Sequence, residues 1–235
     1  MKRGRFDSRL CGALAQGMGE LLETNVSDGR HAPRPSTTEA CASMADLQVK
    51  LACSPEQHAE ADRLVRLRYA WRGYADVRKS GDPLSDEAPS PEGSTLLVHR
   101  ADRLVGTITL SVDGLLAEHA HQAIVDTIKR GGRRVVELTR LAVRDTVDSR
   151  MVLAELFRAA YCIGRLVHGA TDALIEVNPR HAGFYSRVFG FVRLGDEWLC
   201  ARVNAPAVLM HLDVSKLDLR LGLAARPQNL SRQAA

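Results

Sequence analysis

From Val135 to Phe191 the chain alternates two kinds of segment, and no other stretch limits its possible folds so strongly. Val135 to Val143 (VVELTRLAV) is an apolar run interrupted by one carboxylate and one guanidinium. A run of that length bounded by polar residues fits a strand buried on both faces. In the segment from Ser149 to His168, Val152, Leu153, Leu156, Phe157, Ala160 and Ile163 recur at helical spacing. Ala173 to Val177 is a second apolar run, and Pro179 to Val188 a short amphipathic helix closed by Gly190. Strand, helix, strand, helix predicts an α/β layout with a parallel pair. Ligands in such layouts bind beyond the carboxyl ends of the strands, and the charged residues here collect at those ends.

The remaining segments build outward from this pair. Leu47 to Cys53 alternates apolar and polar residues, as a half-buried strand does. Ser54-Pro55-Glu56-Gln57 supplies an N-cap, a first-turn proline and an acid, which starts a helix running to about Trp71. One face of it carries Ala61, Leu64, Val65 and Tyr69. Arg63, Arg66, Arg68 and Arg72 make the opposite face either a solvated surface or a grip for phosphate or carboxylate. Gly73 to Ser94 reads as a long loop, and Thr95–His99 and Leu104–Val112 as a hairpin. Gly114 to Arg130 reads as helical, stopped by Gly131-Gly132. Phe191–Leu194 and Trp198–Val203 are expected to form a final hairpin around Gly195-Asp196-Glu197, with Val208–Val214 a further strand. Residues 1–45 are expected to be an extension, either flexible or carrying a docking helix over Leu10–Leu22; 46–223 form the domain, and 224–235 a disordered tail.

Composition narrows the function classes. With 45% hydrophobic and 26% charged residues the chain is an ordinary globular one. Aromatics at 5% and a net charge of only +4 argue against a nucleic-acid surface. The five cysteines have no metal or redox spacing, so free thiols and no metal are expected. No run is long and apolar enough to span a bilayer, and no secretory signal is visible, which makes the cytoplasm the expected location and leaves only peripheral membrane contact open.

The element order, together with the block Asn178-Pro179-Arg180-His181-Ala182-Gly183-Phe184-Tyr185-Ser186-Arg187-Val188-Phe189-Gly190-Phe191, resembles the GNAT acyltransferases and their Asn…Ala…Tyr…Gly-Phe block. Glu137-Leu138-Thr139-Arg140-Leu141-Ala142-Val143 is similar to the Glu-Leu-Ser/Thr-Arg stretch of N-acylhomoserine lactone synthases. Carrying both, residues 47 to 214 resemble the FeeM-like N-acyl amino acid synthases. The resemblance implies a GNAT-like mixed sheet with helices on both faces. It also implies transfer of a long-chain acyl group from acyl carrier protein to the amine of an amino acid. The glycine-rich coenzyme A loop of ordinary GNAT enzymes is missing, because Arg144 to Arg150 contains no glycine. That suits the phosphopantetheine arm of a carrier protein as donor, with no tightly bound cofactor; acyl-coenzyme A is the alternative donor. A coenzyme A-dependent N-acetyltransferase and a homoserine lactone synthase are the competing activities.

Aminolysis of a thioester needs a base for the amine, a polarised carbonyl and an acid for the leaving thiolate. Glu137, a lone acid in an apolar strand, is the expected base, with an ion pair to an arginine such as Arg140 as the alternative. A β-bulge in this strand would bring Glu137 and Arg140 together and leave backbone N–H groups near Leu141, Ala142 and Val143 free to polarise the carbonyl. Arg140 is a candidate for the substrate carboxylate or a structural pair. The resemblance makes Tyr185 the acid. Arg150, at a helix start, is a candidate for the pantetheine phosphate, and Asn178 for pantetheine amides or for capping the next helix. Arg66, Arg68, Arg133 and Arg134 are candidates for docking an acidic carrier protein. His181, at a helix start, is expected to be structural.

Overall fold

The computed structural model describes residues 46–74, 93–112, 122–145, 149–200 and 203–220. The expectations for Leu10–Leu22, for most of the loop before Ser94, for Gly114–His121 and for the tail lie outside the described residues. The strands are β1 (Leu47–Leu51), β2 (Ser94–Arg100), β3 (Arg103–Val112), β4 (Val135–Val143), β5 (Asp172–Val177), β6 (Val192–Cys200) and β7 (Ala205–Asp213). The helices are α1 (Pro55–Trp71), α2 (Gln122–Arg130), α3 (Ser149–Tyr161), α4 (Pro179–Phe189) and α5 (Val214–Arg220). A π-helical turn, Cys162–Val167, continues α3.

The strands form one mixed seven-stranded sheet in the order β1-β2-β3-β4-β5-β7-β6. Only β4 and β5 run parallel; the other five neighbouring pairs are antiparallel. Helices cover both faces. Ala61, Leu64 and Val65 of α1 pack on Leu97, Leu104 and Ala142, and Val125 of α2 packs on Val135, Leu174 and Leu209. On the opposite face α3 and α4 bring Leu156, Phe157, Val188 and Phe189 onto Ile108, Leu110, Val136 and Ile175. Gly106 of β3 lets α3 lie this low, since a Cβ there would stand 2.5 Å from Val152 Cγ1. The rings of Phe157 and Phe189 stack at 4.2 Å between centroids, which ties α3 to α4 by about 1 kcal/mol beyond burial.

Local chemistry sets the boundaries. The Ser54 hydroxyl accepts from the Gln57 N–H and the Gln57 side chain accepts from the Ser54 N–H, a reciprocal cap at the α1 start. Gly190 ends α4 with φ of 86°, where a side chain would be strained. One expectation is corrected. Gly195-Asp196-Glu197 is not a hairpin turn but an irregularity within a single strand, β6, between Leu194 and Trp198. The reversal comes after Cys200, and β7 inserts between β5 and β6. The glycine (φ 71°) suits a bulge as well as a turn, which is why the sequence misleads there.

Candidate active site

Pairing between β4 and β5 stops early. It covers Val135↔Asp172 to Leu138↔Ile175, after which β4 runs on for five residues and β5 for two. The strands separate because β4 bulges. Its register with β3 skips between Thr107 and Thr109, so Arg140 and Leu141 together oppose Ile108. Arg140 takes up the extra residue at φ of 53°, a conformation costing a non-glycine residue about 1 kcal/mol. The Arg144 N–H donates back to Val105 O at 2.8 Å. By strand alternation the N–H of Val143 turns to the opposite edge, into the opening.

A cavity of about 590 Å³ fills this opening. Its wall on the α3/α4 side is apolar, with Leu138, Leu141, Leu153, Phe157, Val177 and Phe184. On the α1 side it is polar and cationic, with Arg68, Tyr69, Arg72, Tyr74 and Glu176. One opening through the sheet therefore joins two chemically unlike chambers.

The expected site residues divide between wall and elsewhere. Leu141, Ala142, Val143, Arg150, Asn178 and Tyr185 line the cavity. Asn178 also caps α4, its side-chain oxygen accepting from the Arg180 N–H. Arg140 lines it too, but its guanidinium is paired with the carboxylate of Asp62 on α1. Glu137 is 2% exposed and forms no part of the wall. It sits on the face of β4 turned to α1 and α2, opposite Ser111 of β3. Two acids line the wall instead: Asp145, which is exposed, and Glu176, half-buried, one residue past the last β4–β5 pair and so at the apex of the opening. Of the arginines proposed for docking, Arg68 borders the cavity and stacks over Trp71 at 4.6 Å, and Arg66 lies on the same helix. Arg133 and Arg134 precede β4, at the far end of the strand, roughly 30 Å away along the chain direction. Arg133 is bound there to Asp172 and Asp213.

Glu176 was legible by the rule that singled out Glu137: it too is a lone acid within an apolar run, Ala173 to Val177. The choice between them depends on where the strands part, which the sequence does not state. Tyr185 is 9% exposed, and burial pushes its phenol well above the ordinary value, helped by Tyr69 and opposed by the charge of Arg72. His181, on the wall, is held below its ordinary value first by burial, then by the charges of Arg72 and Arg180. Its Nε2 lies 2.8 Å from Arg72 Nη1 and 3.2 Å from Arg180 Nε. Both neighbours can only donate, so this lone pair is occupied and unavailable as a base. Among the described residues no group of His, Cys, Asp or Glu is placed to hold a metal ion. Nor is any helix there long and apolar enough to cross a membrane.

A family profile described as N-acyl amino acid synthase FeeM matches residues 60–213. Among solved structures, FeeM, an N-acyl amino acid synthase from uncultured soil microbes, superposes with a TM-score of 0.64 at 24% identity, covering 74% of this chain and 94% of that one. A Lactobacillus plantarum protein assigned as an N-acetyltransferase superposes with a TM-score of 0.50 at 17% identity, covering 70% of this chain and 96% of that one. No curated protein sequence matches the chain. The two superpositions share the mixed sheet with helices on both faces.

Proposed function

The chain belongs to the FeeM family of N-acyl amino acid synthases, acyltransferases on a GNAT fold, and from that premise we propose that it moves a long-chain acyl group from acyl carrier protein to the α-amine of an amino acid. One observation carries the reading: the β4–β5 opening joins an apolar chamber to a polar one, and Glu176 and Tyr185 both line the cavity it forms. The acyl chain takes the apolar side, between α3 and α4. Leu138 and Phe157 are also shared with a smaller apolar void bounded by Ala160, Gly164, Phe189 and Leu217, which continues that wall inward.

The pantetheine arm lies along the unpaired edge of β4, where the Val143 N–H donates to the thioester carbonyl and stabilises the charge that develops on it. The amine nitrogen approaches from the α1 side and bonds to the carbonyl carbon. Its proton passes through water to Glu176. The carbon–sulfur bond then breaks, and the thiolate takes the Tyr185 proton. The products are an amide and a free thiol. The raised phenol keeps its proton at neutral pH until the thiolate forms beside it.

Three features support a carrier protein as donor. Arg144 to Arg150 lacks the glycines of a pyrophosphate cradle. Arg144 is itself tied down, its Nε donating to Leu104 O at 2.8 Å. Arg68 and Arg150 place positive charge on the rim, where an acidic domain would dock.

The test is incubation with dodecanoyl-acyl carrier protein, or dodecanoyl-coenzyme A, and the twenty amino acids, with products read by mass spectrometry. An N-dodecanoyl amino acid formed at least tenfold faster from the carrier protein is expected. Equal or faster acylation from coenzyme A would transfer the donor role to coenzyme A.

A further inference from the structure

Most arginines of the described residues with a charged partner have a carboxylate. Arg133, Arg140, Arg158, Arg165 and Arg193 each pair with an aspartate or glutamate. Two arginines beside the wall residue His181, Arg72 on the cavity wall and Arg180 next to His181 in sequence, are held differently. Arg72, just past the C-terminus of α1, and Arg180, in the first turn of α4, both donate to His181 Nε2. Arg180 Nη2 also donates to the Tyr74 hydroxyl at 3.1 Å. With Nε2 accepting, the imidazole carries its proton on Nδ1 and is neutral. Two guanidinium groups therefore converge on neutral acceptors, and among the described residues neither has an acid. Both are exposed, so a ligand reaches them, and an arriving oxyanion would relieve their mutual repulsion.

We propose that Arg72 and Arg180, braced on His181, are the subsite for the α-carboxylate of the acceptor amino acid. The assignment rests on the acyl-transfer reading and adds the acceptor's orientation to it. Position decides for a carboxylate over the pantetheine phosphate. His181 and Tyr185 lie four residues apart on α4, so their Cβ atoms are about 6 Å apart. In an α-amino acid the nitrogen and the carboxyl carbon are each about 1.5 Å from Cα. A carboxylate anchored one helical turn from Tyr185 thus leaves the amine beside the departing sulfur. The pantetheine phosphate is separated from its sulfur by a chain as long as four extended residues, about 14 Å, and belongs farther out. Arg140, the sequence's candidate for this task, is already satisfied by Asp62.

The experiment measures binding and turnover separately, on the full chain. A mixture of N-dodecanoyl amino acids and the same mixture as carboxamides are equilibrated with the protein, and the bound fraction is read by ultrafiltration and mass spectrometry. The acids should bind at least tenfold more tightly than the amides, and Arg72→Gln with Arg180→Gln should erase that preference while amide binding stays within twofold. In turnover, the double variant should raise the amino acid KM by ten- to a hundredfold and leave the donor KM within twofold, with Arg72→Lys recovering part of the loss. Equal binding of acids and amides by the unaltered protein overturns the subsite. So does a rise confined to the donor KM, which would mean the pair holds the phosphate. A preference for acids in a protein that acylates no amine would sink the acyl-transfer reading and leave the subsite standing.

Discussion

The two ends of the parallel pair β4–β5 treat charge in opposite ways. At the start of the strands, Asp172 is fully buried and accepts from Arg133 Nε, His211 Nε2 and the Thr171 hydroxyl, each at 2.6 Å, and Arg133 also reaches Asp213 at 3.0 Å. Asp172, Asp213 and Arg133 there satisfy one another inside the protein. At the other end, among the described residues, Arg72 and Arg180 hydrogen-bond to a neutral imidazole and a phenol and to no acid. A buried carboxylate with all its acceptor sites filled holds structure, and removing a partner leaves an uncompensated group. Exposed cations on neutral braces contribute little to stability and remain available to a ligand. One end closes the pair; the other leaves two exposed cations on neutral groups.

The largest expected effect breaks the closed end. Asp172→Ala should lower the unfolding free energy by about 3 kcal/mol in urea titration, whereas Arg72→Gln with Arg180→Gln should change it by less than about 0.5 kcal/mol. Comparable losses at the two ends would dissolve the contrast. Burial pushes the Asp172 carboxyl up, but bonds from Arg133, Thr171 and His211 outweigh it and the net shift is downward. Its stabilisation is therefore present above about pH 4 and lost as pH falls below that range.

Next in size is Tyr185→Phe, which should lower kcat by about a hundredfold with amino acid KM nearly unchanged. Glu176→Gln should act the same way, while Glu137→Gln, off the cavity wall, should lower kcat less than Glu176→Gln does. A reversed order in steady-state kinetics would return the base to Glu137.

A smaller effect tests the open end by pH. His181 is held low by burial and by Arg72 and Arg180, with the Tyr74 hydroxyl bonded to Arg180 and Tyr185 one turn along α4. A depressed imidazole favours folding in its neutral form, so its contribution is complete above about pH 6.5 and lost as pH falls toward the folded value. Between pH 7.5 and 5 the melting temperature of the unaltered protein should drop about 2 °C more than that of His181→Asn. Smallest of all, Arg134→Gln should leave the donor KM within about twofold, whereas Arg68→Gln, at the mouth, should raise it severalfold. Equal effects would restore a docking surface spread over both ends.

Much of the fold was readable because single residues announce it. Ser54, Pro55 and Gln57 start α1 where capping chemistry requires, and Val135–Val143 appears as β4 at the expected bounds. A bulge was the condition on which Glu137 and Arg140 could meet; the strand does bulge at Arg140, but the guanidinium pairs with Asp62. What stayed hidden depends on residues far apart in sequence. Arg140 meets Asp62 across 78 positions, and Arg72 meets His181 across 109. No periodicity encodes such pairs. Gly195 misled for a local reason, since a glycine at positive φ serves a bulge and a turn equally.

The early end of β4–β5 pairing makes the sheet two leaves on a short spine. One leaf is β1 to β4, the other β5, β7 and β6, and four residue pairs join them. Backbone hydrogen bonding between the leaves is confined to that spine, and beyond it they are joined by side chains of α2, α3 and α4 packed across both. In hydrogen exchange, the spine amides of residues 135–138 should be protected longest, and the β4 amides facing the wedge should exchange first and slow down once an acyl arm lies against them.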